Sequence, residues 1–159
     1  KIIRKTDNTQ SPLTREQLIE DLNRFDGDPS GVAETKTRKE QDSFRRYLIG
    51  SSNEAECSLC GHLFPTELLI AAHIKKRAEC THEEKTNPDV VMLACKFGCD
   101  DLYEKKFIFV DEQGIIRRNQ SKSITKAMEP TIVSLDGKEC PIWSDSNKEF
   151  FDAHRASDQ

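Results

Sequence analysis

The chain has 159 residues, enough for one modest hydrophobic core and too few for two independent ones. Charged residues make up 33% and hydrophobic ones 35%, and no apolar run approaches the roughly 20 residues of a bilayer-spanning helix, which argues against a helical membrane protein. A net charge of −4 argues against avid whole-surface binding to nucleic acid but leaves room for a local basic face.

The first residues, Lys1-Ile2-Ile3-Arg4, show neither an initiator methionine nor a secretory pattern, so the chain reads as a fragment of a longer protein. Residues 1–12 are polar, end in Ser11-Pro12 and read as an arm. Thr14-Arg15-Glu16-Gln17 is a capping box, with the threonine hydroxyl bonding forward and the glutamine reaching back. It opens a helix whose Leu18, Ile19, Leu22 and Phe25 share a face and which Gly27 stops. Asp26 to Gly31 is turn-rich and predicts a loop. A second box, Thr37-Arg38-Lys39-Glu40, predicts the start of another helix, with Phe44, Tyr47 and Leu48 facing inward and Gly50 at its end.

The centre reads as strands. Residues Leu68 to Ile74 are apolar up to His73, and Val90-Val91-Met92-Leu93 runs into Cys95. The polar stretch from Lys75 to Asp89 predicts a loop. Beyond Cys99, Asp100 to Lys106 predicts a short helix with Leu102 and Tyr103 inward. Phe107-Ile108-Phe109-Val110 and Ile115-Ile116 then predict a hairpin across Asp111-Glu112-Gln113-Gly114. A third box, Ser146-Asn147-Lys148-Glu149, precedes Phe150, Phe151 and His154.

Four of the six cysteines form two clusters, Cys57-Ser-Leu-Cys60 and Cys95-Lys-Phe-Gly-Cys99. With no sign of export, this spacing favours metal over disulfides and a reducing, cytoplasmic setting. Zinc takes four soft ligands in a tetrahedron, and a Cys-x2-Cys turn supplies two of them from one knuckle. Gly61 gives the first knuckle its flexibility, and Gly98 absorbs the extra spacer of the second. Residues 61–94 lie between the pairs, so the clamp staples a whole strand-loop-strand excursion. The alternative is four buried free thiols. His62 could replace one cysteine, but two residues from Cys60 it reads as a surface residue or as a neighbour of the ligands. Cys80 and Cys140 are left without a role. Arg45-Arg46, Lys75-Lys76-Arg77 and Arg117-Arg118 are each read alone as solvated faces; clustered around the clamp, they are candidates for a phosphate track.

The succession of Cys-x2-Cys, Ala72-His73-Ile74 at a strand end, a polar loop, a hydrophobic strand into a second cysteine pair, and Leu102-Tyr103-Glu104 resembles the HNH endonucleases. Arg38-x-x-Gln41-x-x-Phe44-Arg45 and Phe150-Phe151-Asp152-Ala153-His154-Arg155 are similar to segments flanking restriction-type HNH domains. The resemblance covers about residues 35–155. It implies an α+β fold with a ββα-metal, treble-clef-like core, stapled by a structural Zn²⁺ on Cys57, Cys60, Cys95 and Cys99. N-terminal helices and a C-terminal hairpin and helix would flank that core. The chain would divide into an arm and helix over 1–34 and a nuclease domain over 35–159.

The resemblance further implies that His73 is the general base, taking a proton from the attacking water as a neutral imidazole near pH 7. Asp89, or Asn87 two residues earlier, would orient it. Asp100 would hold a catalytic ion, and a carboxylate prefers a hard one, Mg²⁺ or Mn²⁺. Ala72 stands where many members carry a second metal ligand, with Asp101, Glu104, Glu83 and Glu84 as possible substitutes. His82 is a rival base, and His154 is structural or phosphate-facing. Lys75, Lys76 and Arg77 are the candidates for phosphate contacts.

The expected activity is metal-dependent hydrolysis of DNA, in restriction or another bacterial defence role. No helix carries the Arg, Asn and Gln pattern of a major-groove reader, so targeting would fall to a missing domain, a partner subunit or a homodimer. Two other readings stay open. One is a zinc-ribbon module that binds nucleic acid or a protein without catalysis. The other is a hydrolase of a small phosphoester, which would require a closed pocket.

Overall fold

Helix α1 (Arg15–Asp26) begins on the expected capping box: Thr14 Oγ1 accepts from the Gln17 N–H at 3.2 Å, and the Gln17 side chain accepts from the Thr14 N–H at 2.9 Å. Leu18 and Leu22 are buried on its inner face, while Ile19 and Phe25 are half-buried. The computed structural model describes residues 11–27 and 32–157; residues 1–10 of the arm expected over 1–12 and residues 28–31 of the loop expected over 26–31 lie outside the described residues.

Helix α2 (Ala33–Ile49) has its N-cap at Val32, which offers no side-chain cap, instead of at Thr37 where the sequence box places it. The box at Thr37 does not form. The Thr37 hydroxyl donates to the Ala33 carbonyl at 3.0 Å inside the helix, and Glu40 is drawn away to Arg77. Phe44 is fully buried, and Tyr47 and Leu48 pack against the core.

Strands β1 (Glu54–Glu56) and β2 (Leu63–Pro65) pair antiparallel on either side of the first cysteine pair. Strand β3 (Leu69–His73) pairs antiparallel with β4 (Val91–Cys95), Leu69 opposite Cys95 and His73 opposite Val91. The connection between them is more ordered than the predicted loop. It contains a 3₁₀ turn at Arg77–Glu79, a single-turn helix α3 (His82–Lys85) and a second 3₁₀ turn at Pro88–Val90. Its order is local in origin: Thr81 and Glu84 close a capping box, and Asn87 caps the turn that follows.

Helix α4 (Cys99–Glu104) follows the second cysteine pair, with Leu102 and Tyr103 buried as expected. The predicted hairpin is present as β5 (Ile108–Val110) and β6 (Ile116–Arg118). Gly114 closes its turn at φ +79°, and a Cβ there would come within 2.8 Å of the Trp143 ring. Helix α5 (Glu129–Leu135) has no counterpart in the sequence reading and buries Ile132 and Leu135. Helix α6 (Lys148–Ala156) has Asn147 in its N-cap position, without a side-chain capping bond, where the sequence box places Ser146. The third box fails because the Asn147 side chain bonds backward, accepting from the Ser144 N–H at 2.9 Å and donating to the Ile142 carbonyl at 2.8 Å.

The result is a mixed α+β domain built, among the described residues, on three short antiparallel strand pairs. The β3–β4 pair is central: all five residues of β4 are buried, α2 packs on both strands and α4 packs on β4. Phe44, Tyr103, Phe150 and Phe151 are the largest fully buried side chains, each worth about 2–3 kcal/mol relative to exposure. A two-stranded sheet leaves its outer carbonyls in need of donors. Helix α2 supplies them on β3, where Gln41 donates to the Ala71 carbonyl at 2.7 Å and Arg45 donates to the Leu69 carbonyl. Among the described residues no helix is long and apolar enough to cross a membrane.

Candidate active site and metal centre

The two cysteine pairs meet. One ligand atom from each of Cys57, Cys60, Cys95 and Cys99 lies within 4.8 Å of every other. A tetrahedral Zn–S₄ centre with bonds near 2.3 Å requires sulfurs about 3.8 Å apart, so the donor set fits a metal such as zinc. The first knuckle is the β1–β2 turn, closed by Gly61 N–H to the Cys57 carbonyl at 2.9 Å, with Gly61 at φ +75°. The second runs from the end of β4 into α4, with Gly98 at φ +134° absorbing the longer spacer. The Cys95 N–H donates to Cys57 Sγ at 3.4 Å, a bond that favours a thiolate. Hydrogen bonds from Cys95 and Cys99 hold Cys57 far below the ordinary thiol range. Burial, then the charge on Cys57, pushes Cys60 up to about 11.

Three features around the cluster escaped the sequence reading. Cys140 donates its thiol to the Ser58 carbonyl at 3.5 Å, and Lys138 donates to the Cys60 carbonyl at 3.3 Å, so the chain after α5 braces the first knuckle. Phe64 and Phe97 stack at 5.5 Å across the two knuckles. His62 is exposed and stands outside the cysteine group. Cys80 is also outside it, buried with its thiol directed to the Lys76 carbonyl at 3.5 Å.

A cleft of about 670 Å³ opens beside the β3–β4 pair, and His73 and Asp100 both line it, together with Gln41, Tyr103, Glu104 and His154. His73 reaches it because it ends β3, and Asp100 because it opens α4 directly after the ligand-type Cys99. The His73 ring meets the Phe44 ring edge-on at 5.8 Å. Burial lowers its pKa from 6.5 to about 4; the Glu40 carboxylate opposes that fall and the Arg77 guanidinium deepens it. The imidazole is therefore neutral far below pH 7 and is a weaker base than an ordinary histidine. Asp100 moves the other way, held above the usual carboxylate range by burial and by the charges of Glu104 and Asp101.

The other sequence-predicted residues fall as follows. Asp89 lies outside the cleft lining, in a two-pronged ion pair with Arg15 at 3.0 Å, and Asn87 accepts from the Asp89 N–H at 2.9 Å. Lys75 pairs with Glu84 at 2.7 Å and Arg77 with the buried Glu40 at 2.7 Å, while Lys76 is exposed on the cleft. Of the possible substitutes for Ala72, Glu104 lines the cleft, Asp101 pairs with Lys105, Glu84 with Lys75, and Glu83 is exposed. His82 is an exposed residue at the start of α3.

His154 is buried, stacks on Tyr103 at 3.8 Å and bonds the Tyr103 carbonyl through Nε2 at 2.9 Å. Tyr103 in turn donates its hydroxyl to the Ile74 carbonyl at 2.9 Å, so α6 and α4 together fix the chain next to His73. Lys105, Lys106 and Lys122 also line the cleft and were not singled out from sequence. The adjacent Lys105-Lys106 step was a visible signal; Lys122 offered none.

Comparison with known proteins identifies no matching family and no similar curated protein. The resemblance to the HNH endonucleases rests on the motif residues themselves.

Proposed function

We propose that the chain is a metal-dependent endonuclease that hydrolyses DNA phosphodiester bonds, with His73 as the general base. The observation that carries the reading is the convergence of a neutral histidine and a half-buried carboxylate in one cleft, from a strand end and the first turn of a later helix. The order β3, β4, α4 agrees with the ββα arrangement that the HNH resemblance implies. The four cysteines would hold a structural zinc that joins the β1–β2 turn to the β4–α4 junction and so fixes the register of both site elements.

Asp100 and Glu104 lie one helical turn apart on α4 and line the same cleft. Mg²⁺ and Mn²⁺ are commonly bound by one or two protein carboxylates, with water and phosphate oxygens completing the shell, so this pair fits a hard ion. Glu104 then provides the second ligand that Ala72 cannot. Bound there, the ion would stabilise charge on the phosphate and on the leaving 3′ oxygen. His73 accepts the proton of the attacking water as its oxygen bonds to phosphorus. The P–O3′ bond breaks, and the leaving oxygen takes a proton from solvent, giving 5′-phosphate and 3′-hydroxyl ends. A restriction or defence role follows from the family resemblance alone.

Purified protein with Mg²⁺ or Mn²⁺ is expected to nick plasmid DNA, and His73→Ala to lose about 100-fold or more of that rate with its melting temperature retained. Equal cutting by the variant would remove His73 from the mechanism. The low basicity of His73 favours a second reading, a zinc-ribbon module that binds without catalysis. That reading predicts binding that survives His73→Ala and Asp100→Ala but fails when Cys57 is replaced.

A further inference from the structure

Five cationic side chains line the cleft, Lys76, Arg77, Lys105, Lys106 and Lys122, against two carboxylates, Asp100 and Glu104. The chain as a whole carries −4, so the excess is local. A concave surface with apolar walls, here including Ile70 and Phe107, focuses such a field and suits an extended anion.

The five differ in what else holds them. Arg77 is bound to Glu40 by two hydrogen bonds at 2.7 and 2.8 Å. Lys105 is paired with Asp101, and Lys106 is tied to the Ser157 carbonyl. Lys76 is exposed and, among the described residues, forms no ion pair. Lys122 sits 5.1 Å over the Phe107 ring and gives one hydrogen bond to the Lys105 carbonyl at 2.7 Å, which leaves other ammonium protons to spare. Lys76 lies just beyond His73, and Lys122 just beyond β6. Two separate segments therefore bring an available ammonium to the cleft that holds His73 and Asp100.

We propose that Lys76 and Lys122 contact the phosphates of one nucleic-acid strand that crosses the cleft past His73 and Asp100. A cleft of about 670 Å³ has room for a stretch of one sugar-phosphate backbone. The choice of nucleic acid rests on the phosphodiesterase reading; the binding claim does not depend on hydrolysis.

The test is fluorescence anisotropy with a labelled single-stranded oligonucleotide in magnesium-free buffer, from about 50 to about 200 mM salt. Each phosphate contact contributes about 0.7 to the slope of log affinity against log salt for a single strand. Lys76→Gln and Lys122→Gln are each expected to flatten the slope by about 0.7, and the double variant by about 1.4. Lys122→Arg should restore the slope, and Lys126→Gln, exposed and outside the cleft lining, should leave it unchanged. An unaltered slope in the double variant, or an equal loss in the Lys126 control, overturns the proposal. So does a wild-type protein that does not bind. Lysine-dependent binding without cleavage on adding Mg²⁺ would uphold these contacts and sink the hydrolytic reading. Cleavage unaffected by the double variant would do the reverse.

Discussion

At the scale of single residues, the proton affinity of His73 is set by what the strand end packs against. Burial brings it down to about 4, with Glu40 raising it and Arg77 lowering it. Glu40 is itself 6% exposed and paired with Arg77, so one ion pair both braces the turn after β3 and tunes the candidate base. Replacing Glu40 by Gln removes the charge that favours imidazolium and breaks the Glu40–Arg77 ion pair. The His73 pKa should fall below its present value of about 4, as read by an NMR titration of the ring protons. Stability should drop by about 2 kcal/mol, less than for a fully buried pair because Arg77 reaches water. An unchanged or higher His73 pKa would show that Glu40 does not act on the ring. None of this coupling is visible in the sequence, where Glu40 reads as half of a capping box and Arg77 as part of a basic step.

At the scale of elements, the cysteine cluster ties the β1–β2 turn to the junction between β4 and α4. The knuckle strands are only three residues each, and so short a pair cannot hold itself in water. A metal joining it to the buried β4 would supply the missing free energy. The protein is expected to carry about one zinc per chain. Cys57→Ser should lose it and lower the melting temperature by on the order of 10 °C, equivalent to a few kcal/mol. Cys80→Ser, outside the cluster and able to keep its bond to the Lys76 carbonyl, should alter neither. Equal zinc content in wild type and Cys57→Ser would dismiss the cluster as a metal site. The cluster was legible in advance because knuckle spacing and glycine placement are local properties. Helix α5 was not, since its seven residues are too few to show a helical period: Ile132 and Leu135 are buried while the neighbouring Val133 is exposed.

At the scale of the whole molecule, the buried His154 and the half-buried His73 make stability depend on pH. His73 and His154 both titrate near 4 in the folded chain, His154 chiefly through burial, against 6.5 when free. Above 6.5 both are neutral in either state, and their contribution is fully present. Between 6.5 and 4 the unfolded chain takes up protons that the fold refuses. Stability therefore falls as pH is lowered, by up to about 1.4 kcal/mol per pH unit for each histidine. Below about 4 the native state is protonated too, and this loss levels off. Asp100, with its raised pKa, works in the opposite sense and offsets a part. Denaturation midpoints measured at steps between pH 7.5 and pH 4.5 should decline, and His154→Gln, which can still donate to the Tyr103 carbonyl, should roughly halve the decline. A variant that declines as steeply as wild type would exclude His154 as a source of the effect.

Sequence by itself determined the features written in short-range chemistry. These are the cysteine spacing with its glycines, the Thr14 cap, the apolar strands on either side of the polar excursion, and the hairpin turned at Gly114. Each depends on residues a few positions apart, whose backbone preferences hold wherever the segment lies. Tertiary structure decided the partners. It placed Gln41 and Arg45 against the outer carbonyls of β3, gave Glu40 to Arg77 instead of its own helix cap, and set Asp89 in a pair with Arg15. It also gathered Lys76, Lys105, Lys106 and Lys122 around His73 and Asp100. Ion pairs and clefts join residues from distant parts of the chain, and a charged side chain carries no local mark of the partner it will meet.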